Sequence, residues 1–326
     1  MPQSSNALTA HSALVPWKDP ELTGINRLPG RAFAFAHPTA TDALKDERRL
    51  AISLNGVWRF RLVESVEATP AEFAAADFEP ENFGSISVPG NWTMQGFGLP
   101  HYTNSWIPFD QAPPDVPDKN PTGLYWTSFE LPEGWDERRV VLQFGGVESC
   151  FSVWLNGEPI GVGKDSRLPS EFEVSRAVRR GKNRLAVQVI QWSDGTFVED
   201  QDHWWQAGIY RDVVLRATAT TWIEDVFARP DYDHETGRGK LRVEVRAGGL
   251  KETGWRIRAE LYDPQGSPAL EQPLSVELPF QKPGSGYSRP PVVLNAALES
   301  VRAWSAETPS LYTLIVSLLD ASGKEV

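Results

Sequence analysis

Apolar and polar residues alternate with period two along Trp58-Arg59-Phe60-Arg61-Leu62, Tyr125-Trp126-Thr127-Ser128-Phe129, Val140-Val141-Leu142-Gln143-Phe144, Phe151-Ser152-Val153-Trp154-Leu155 and Arg184-Leu185-Ala186-Val187-Gln188-Val189-Ile190. That spacing turns one face of a strand toward a core and the other toward water. Gly- and Pro-bearing loops separate these runs. Asn55-Gly56 and Asn156-Gly157 are dipeptides that tight hairpin turns prefer, because both central residues need positive φ. Two stretches alone suggest helix: the Ala-rich residues 70–78, and residues 174–180 ahead of Gly181-Lys182-Asn183, which fit a short helix or a turn. The pattern predicts an all-β sandwich.

A second series of strands follows Ala217-Thr218-Ala219-Thr220-Thr221, which places a domain boundary near Ala219. Strands are predicted over residues 225–229, 241–245, 255–261, 276–278 and 311–319, at the spacing of an immunoglobulin-like sandwich without its disulfide. Three segments result: an extended N-terminal arm over residues 1–49, which lacks sustained periodicity, a first domain over 50–219 and a second over 220–326. A strand after Ser322-Gly323 would begin at Lys324, so the second sandwich is expected to be incomplete at its C-terminus, with an open edge beside residues 311–319.

The most unusual loop runs from Trp192 to Asp212. It breaks from its strand at Ser193-Asp194-Gly195, carries Glu199, Asp200 and Asp202 next to His203, Trp204 and Trp205, and turns at Gly208 into the next strand. By composition alone it fits a solvated acidic loop capping a sandwich as well as it fits a binding loop. Asp200 and Asp202 resemble a pair of acids, but both lie on one loop with no second element to set their separation. His203 lacks a recognisable hydroxyl nucleophile and orienting acid, which leaves it a stacking or hydrogen-bonding role.

Charge narrows the partners. A formal net charge of -11 argues against nucleic acid and anionic membrane. Met1 to Trp17 lack a basic segment followed by an apolar core, and no later stretch is long enough to span a bilayer, so a cytoplasmic protein is expected. The single cysteine, Cys150, lies in an apolar strand and reads as a small buried hydrophobe. The 13 tryptophans raise the idea of a lectin, yet Trp58, Trp126 and Trp154 fall on alternating strands and read as core.

Taken with Val88-Pro89-Gly90-Asn91-Trp92, Tyr102-Thr103-Asn104, Asn120-Pro121-Thr122-Gly123 and Asp165-Ser166-Arg167-Leu168-Pro169-Ser170-Glu171-Phe172, the loop resembles the N-terminal region of the large bacterial β-galactosidases of glycoside hydrolase family 2. The resemblance runs in one order from about Asn26-Arg27-Leu28-Pro29 to residues 304–312. It implies a jelly-roll, sugar-binding-like domain followed by the immunoglobulin-like one. It also implies that the two catalytic carboxyls sit on a TIM barrel, which this all-β chain lacks, so no catalytic residue is assigned. Asn104 and Asp202 match family positions that reach the sugar. Asp202 would also be a ligand for a sodium ion shared with the barrel and the sugar's 6-hydroxyl; sodium and magnesium serve the full-length family, and this chain would offer at most one sodium ligand. The residues after Asp202 depart from the family's commoner wording, which puts acceptor preference in doubt. The implied partners are a β-galactoside such as lactose, a barrel domain in cis or trans, and further copies in a homo-oligomer. A free-standing carbohydrate-binding module and one subunit of a split β-galactosidase remain alternatives.

Overall fold

The computed structural model describes residues 15–32, 34–249, 252–280 and 290–326. The reading of residues 1–14 as arm without a leader lies outside them. The chain divides into two units, residues 15–30 with Ala51–Ala217 and Arg31–Leu50 with Thr218–Val326. The residues expected as a single arm are thus shared between the units. Gly24–Ile25 adds an edge strand to Glu158–Gly163 in the first. In the second lies a five-residue helix, Ala40–Leu44, whose capping Thr39 hydroxyl accepts from the Asp42 amide at 3.1 Å.

The first unit is built from a seven-stranded and a four-stranded antiparallel sheet. The larger runs Gly24–Ile25, Glu158–Gly163, Cys150–Leu155, Gly181–Ile190, Thr122–Leu131, Gly56–Val63, Gly84–Val88. The smaller runs Ser170–Glu173, Arg139–Phe144, Val213–Thr218, Ala51–Ser53. Phe144 and Phe172 of the smaller sheet meet Phe151 of the larger at ring-centre distances of 5.1 and 6.1 Å, which fixes the inner face of the sandwich. Trp58 lies in the buried core, as its alternating strand predicts.

The outer face of the larger sheet is covered as well. Phe73 and Phe83 pack with Trp126, Leu124 and Ala186, and with the partly buried Phe78 and Trp154, in a second apolar cluster. This is why Thr122–Leu131 and Gly181–Ile190 are buried on both sides over much of their length. It also corrects the helix expected at residues 70–78: the segment is a run of turns, because its two phenylalanines, Phe73 and Phe78, must reach one sheet face and five residues apart on a helix they would point different ways. Residues 174–180 are likewise turns.

The two Asn-Gly dipeptides differ. Asn156 and Gly157 have φ of 55° and 88°, the conformation a two-residue hairpin requires, and join paired strands. Asn55-Gly56 makes no hairpin; the flanking strands belong to different sheets. The Asn55 side chain instead donates to Asp212 and accepts from the Val213 amide, each at 2.9 Å, tying the crossover to the smaller sheet.

The second unit pairs Trp222–Tyr232, Gly239–Gly248 and Val292–Leu298 in one sheet, and Leu274–Glu277, Arg256–Tyr262 and Thr313–Leu319 in another. Leu241, Val243, Val245 and Ala247 alternate along their strand and meet Ile257, Ala259, Leu261 and Leu318 in one core. Thr313–Leu319 is an edge strand. Its end is partly covered where the chain turns at Asp320 and Leu319 bridges Glu325, whose carboxylate binds Arg258. Among the described residues no helix is long and apolar enough to cross a membrane.

Candidate functional site

The loop after Gly181–Ile190 starts with a capped turn: Ser193 and Thr196 exchange side-chain and main-chain bonds across Asp194–Phe197. Trp204–Trp205 then pairs with His101–Tyr102 in a two-stranded antiparallel ribbon, Trp204 opposite Tyr102 and Trp205 opposite His101. Main-chain bonds from Gly90 to Ile209 at 2.8 Å and from Trp92 to Ala207 at 3.0 Å hold the Val88-to-Trp92 segment beside the end of the loop.

The ribbon has an inner and an outer side. Trp205 is buried, its indole 5.6 Å from that of Trp192 and its Nε1 donating to the Thr103 hydroxyl at 2.7 Å. Tyr102 and Trp204 face outward, 48% and 56% exposed, with ring centres 5.6 Å apart at 43°. Asp202 is exposed and accepts a bond from the Tyr102 hydroxyl at 2.6 Å. That carboxylate pushes the tyrosine's pKa up. Asn104, also exposed, stands two residues beyond Tyr102, and its side-chain oxygen accepts from Ser105 at 3.1 Å. Tyr102 thus connects the two expected site residues, by its hydroxyl to Asp202 and by its chain to Asn104.

The three acids of the loop have separate fates. Glu199 accepts from the Ser166 amide at 2.9 Å and from its hydroxyl. Asp200 has one buried oxygen without a hydrogen-bond partner among the described residues. Of the three, Asp202 is exposed, while Glu199 and Asp200 are half-buried.

Behind the ribbon lies a support that spacing in sequence does not reveal. Buried Glu148 accepts from Arg167 Nη1 at 3.1 Å and from the Gln206 amide, while Arg167 Nη2 lies 3.1 Å from His203 Nε2. His203 Nδ1 lies 2.9 Å from the Trp204 carbonyl. With a guanidinium donor at Nε2 and a carbonyl acceptor at Nδ1, the imidazole is placed as the neutral Nδ1–H tautomer. His203 is therefore a hydrogen-bonding residue that ties the ribbon to Arg167. Burial raises the Glu148 pKa although Arg167 opposes it. The Asp165-to-Phe172 motif contributes further: Asp165, at φ 79°, accepts from the amides of Arg167 and Leu168, and the Ser166 carbonyl accepts from Tyr210.

Cation binding can be judged from the donors. Among the described residues no group of three or more His, Cys, Asp or Glu side chains could hold a metal ion. Asp202, with one oxygen on Tyr102, has a second oxygen to offer, which fits a single ligand to a monovalent cation completed elsewhere. Where a carboxylate and a main-chain carbonyl do converge, at Asp194 and Asp19, the space is filled by the ammonium of Lys164, at 2.6 Å from Asp194 and 3.0 Å from the Asp19 carbonyl.

Residues 51–219 match the family described as "Glycosyl hydrolases family 2, sugar binding domain", and residues 221–326 match "Glycosyl hydrolases family 2". The chain belongs to glycosyl hydrolase family 2. Among curated relatives, a beta-galactosidase of Photobacterium profundum is 39% identical over 100% of this chain and 30% of its own length. One of Priestia megaterium is 36% identical over 94% of this chain and 30% of its own length. The chain therefore spans about 30% of the curated relatives it matches. The fold recurs in the crystal structure of a Bacteroides uniformis beta-glucuronidase, with a TM-score of 0.67 at 19% identity over 84% of this chain and 31% of that one. A Bifidobacterium dentium beta-glucuronidase gives 0.63 at 21% identity, over 85% and 46%. The all-β order of a sugar-binding-like sandwich and an immunoglobulin-like one is that of the N-terminal part of this family.

Proposed function

We propose that this chain forms one wall of the sugar pocket of a β-galactosidase, binding and orienting a terminal β-galactoside while the bond-breaking carboxyls lie on a barrel domain outside these residues. The observation that carries the reading is the Asp202 carboxylate, exposed yet fixed by the Tyr102 hydroxyl, with the exposed Asn104 in the bend two residues after Tyr102. A carboxylate held in place accepts from sugar hydroxyls and can bind sodium; an amide both donates and accepts. Hydrolysis with retention needs two carboxyls about 5 Å apart on a rigid scaffold, and the split fates of Glu199, Asp200 and Asp202 leave this loop without such a pair. That the curated relatives are named beta-galactosidases supports a galactoside as the sugar bound. A cytoplasmic setting suits a chain whose one cysteine is free and buried.

The test is a titration of the isotope-labelled chain with methyl β-galactoside, followed by NMR in sodium and in choline chloride. The Asn104 side-chain amide and the Asp202 main-chain amide should shift saturably, more strongly in sodium, and Asp202→Asn should remove the sodium dependence. Saturable shifts elsewhere with these two unmoved would overturn the assignment.

A further inference from the structure

In the second unit, the outer face of the sheet formed by Trp222–Tyr232, Gly239–Gly248 and Val292–Leu298 gathers positive charge on a chain whose net charge is -11. Arg229 stands directly opposite Arg242 on the neighbouring strand, and Arg242 stands opposite Asn295 on the next. Like charges placed opposite each other in a sheet are destabilising. One carboxylate answers both: Glu244 Oε1 lies 3.1 Å from Arg242 Nε and 3.9 Å from Arg229 Nε. In the next row Lys240 stands opposite Asp231 and has no ion-pair partner among the described residues.

The fold uses only part of each guanidinium. Both are held through Nε, and Arg229 is also held over the Phe227 ring, its Cζ 4.6 Å from the ring centre. Their Nη groups have no partner among the described residues, although both side chains are about half exposed and fixed in place. A guanidinium held in this way offers its Nη groups as a planar fork that matches the two oxygens of a carboxylate. The forks open on a shallow concavity of about 610 Å³ that Lys240, Asp231 and Asn295 also line. That space is larger than a lone ion needs, and its remaining groups suit hydroxyls: an ammonium donates, a carboxylate accepts and an amide does both. Three cations against two acids leave the face one positive charge in excess. One carboxylate balances that charge, whereas a phosphate ester brings close to two negative charges.

We infer that this face binds a small polyhydroxylated carboxylate, a molecule of the sugar-acid class, with its carboxylate between Arg229 and Arg242 and its hydroxyls on Lys240, Asp231 and Asn295. The site belongs to the second unit, whereas Asn104 and Asp202 belong to the first, so it stands apart from the reading of the galactoside wall.

The experiment titrates the full ¹⁵N-labelled chain with D-gluconate, sorbitol, acetate and inorganic phosphate, each at an ionic strength held constant with chloride. Gluconate should shift the Arg229 and Arg242 Nε–H signals and the Asn295 side-chain amide together and saturably. Acetate should shift the arginines alone and more weakly, and sorbitol should shift none of them. Arg229→Gln and Arg242→Gln should each weaken gluconate binding about 10-fold, the scale of one charge-assisted hydrogen bond, and leave the rest of the amide spectrum in place. Arg242→Lys keeps the charge but not the fork, so it should fail to restore binding. Asn295→Ala should weaken gluconate and leave acetate unchanged. Shifts that rise without saturating, equally for every anion, would reduce the face to ordinary charge screening and overturn the site. Phosphate binding as tightly as gluconate would overturn the carboxylate class, and acetate binding as tightly as gluconate would overturn the hydroxyl contacts. Full affinity in Arg242→Lys would show that charge without the fork suffices, which contradicts the proposed geometry.

Discussion

At Gly123 the sandwich leaves no room for a side chain. A β-carbon there would lie 2.4 Å from the Trp92 ring and 2.9 Å from that of Phe60, both almost fully buried. Neither ring has space to yield, so Gly123→Ala should destabilise the first unit by about 1–3 kcal/mol, the usual cost of overpacking. Urea denaturation checks this; an unchanged midpoint would mean that the Trp92 ring relocates freely. Cys150 shows how much single residues reveal from sequence. Its apolar strand predicts a buried, inert thiol, and burial indeed pushes its pKa up to about 12. The Asn156-Gly157 turn was similarly legible, because positive φ is a local demand that those two residue types meet. Asn55-Gly56 carries the same signal and misleads, since the partners that capture its side chain, Asp212 and Val213, are more than 150 residues away in sequence.

At the scale of elements, long strands were readable and short ones were not. Gly239–Gly248 alternates cleanly between buried and exposed, whereas the His101–Tyr102 and Trp204–Trp205 ribbon has two residues per strand, too few for any period to show. Asn104 and Asp202 were therefore proposed from resemblance to the family alone, and the bond from Tyr102 to Asp202 emerges from the structure. The ribbon's support escaped for another reason: Glu148, Arg167 and His203 come from three separate elements. Its electrostatics yield a prediction. Because burial holds the Glu148 carboxyl above its ordinary 4.5, the folded chain binds that proton more tightly than the unfolded chain does. The stability this group contributes is complete below about pH 4.5 and is lost as pH rises through the folded-state value. Glu148→Gln removes the titration, so between about pH 4 and about pH 8 the wild type should lose stability relative to the variant as pH increases. Denaturation midpoints of both proteins across that range measure it. A difference that stays constant, or runs the other way, would show that Arg167 outweighs burial.

For the whole molecule, two all-β units in this order were expected from strand spacing, and the family matches cover nearly the same residues. What spacing missed was where the N-terminal residues go, since an irregular segment that joins an edge strand and then a short helix has no periodicity of its own. The central claim is that these units bind and orient a galactoside without cleaving it. Purified chain incubated with a chromogenic β-galactoside, in sodium and magnesium, tests it directly. No hydrolysis above a matched blank is predicted, because Glu199 is bound to Ser166, one oxygen of Asp200 is buried, and Asp202 has no opposing acid on its loop. Activity that appears only on mixing with a separately produced barrel domain would agree with a pocket wall acting in trans. Hydrolysis by the chain alone, abolished in Asp202→Asn, would contradict the account and place an active site within these sandwiches.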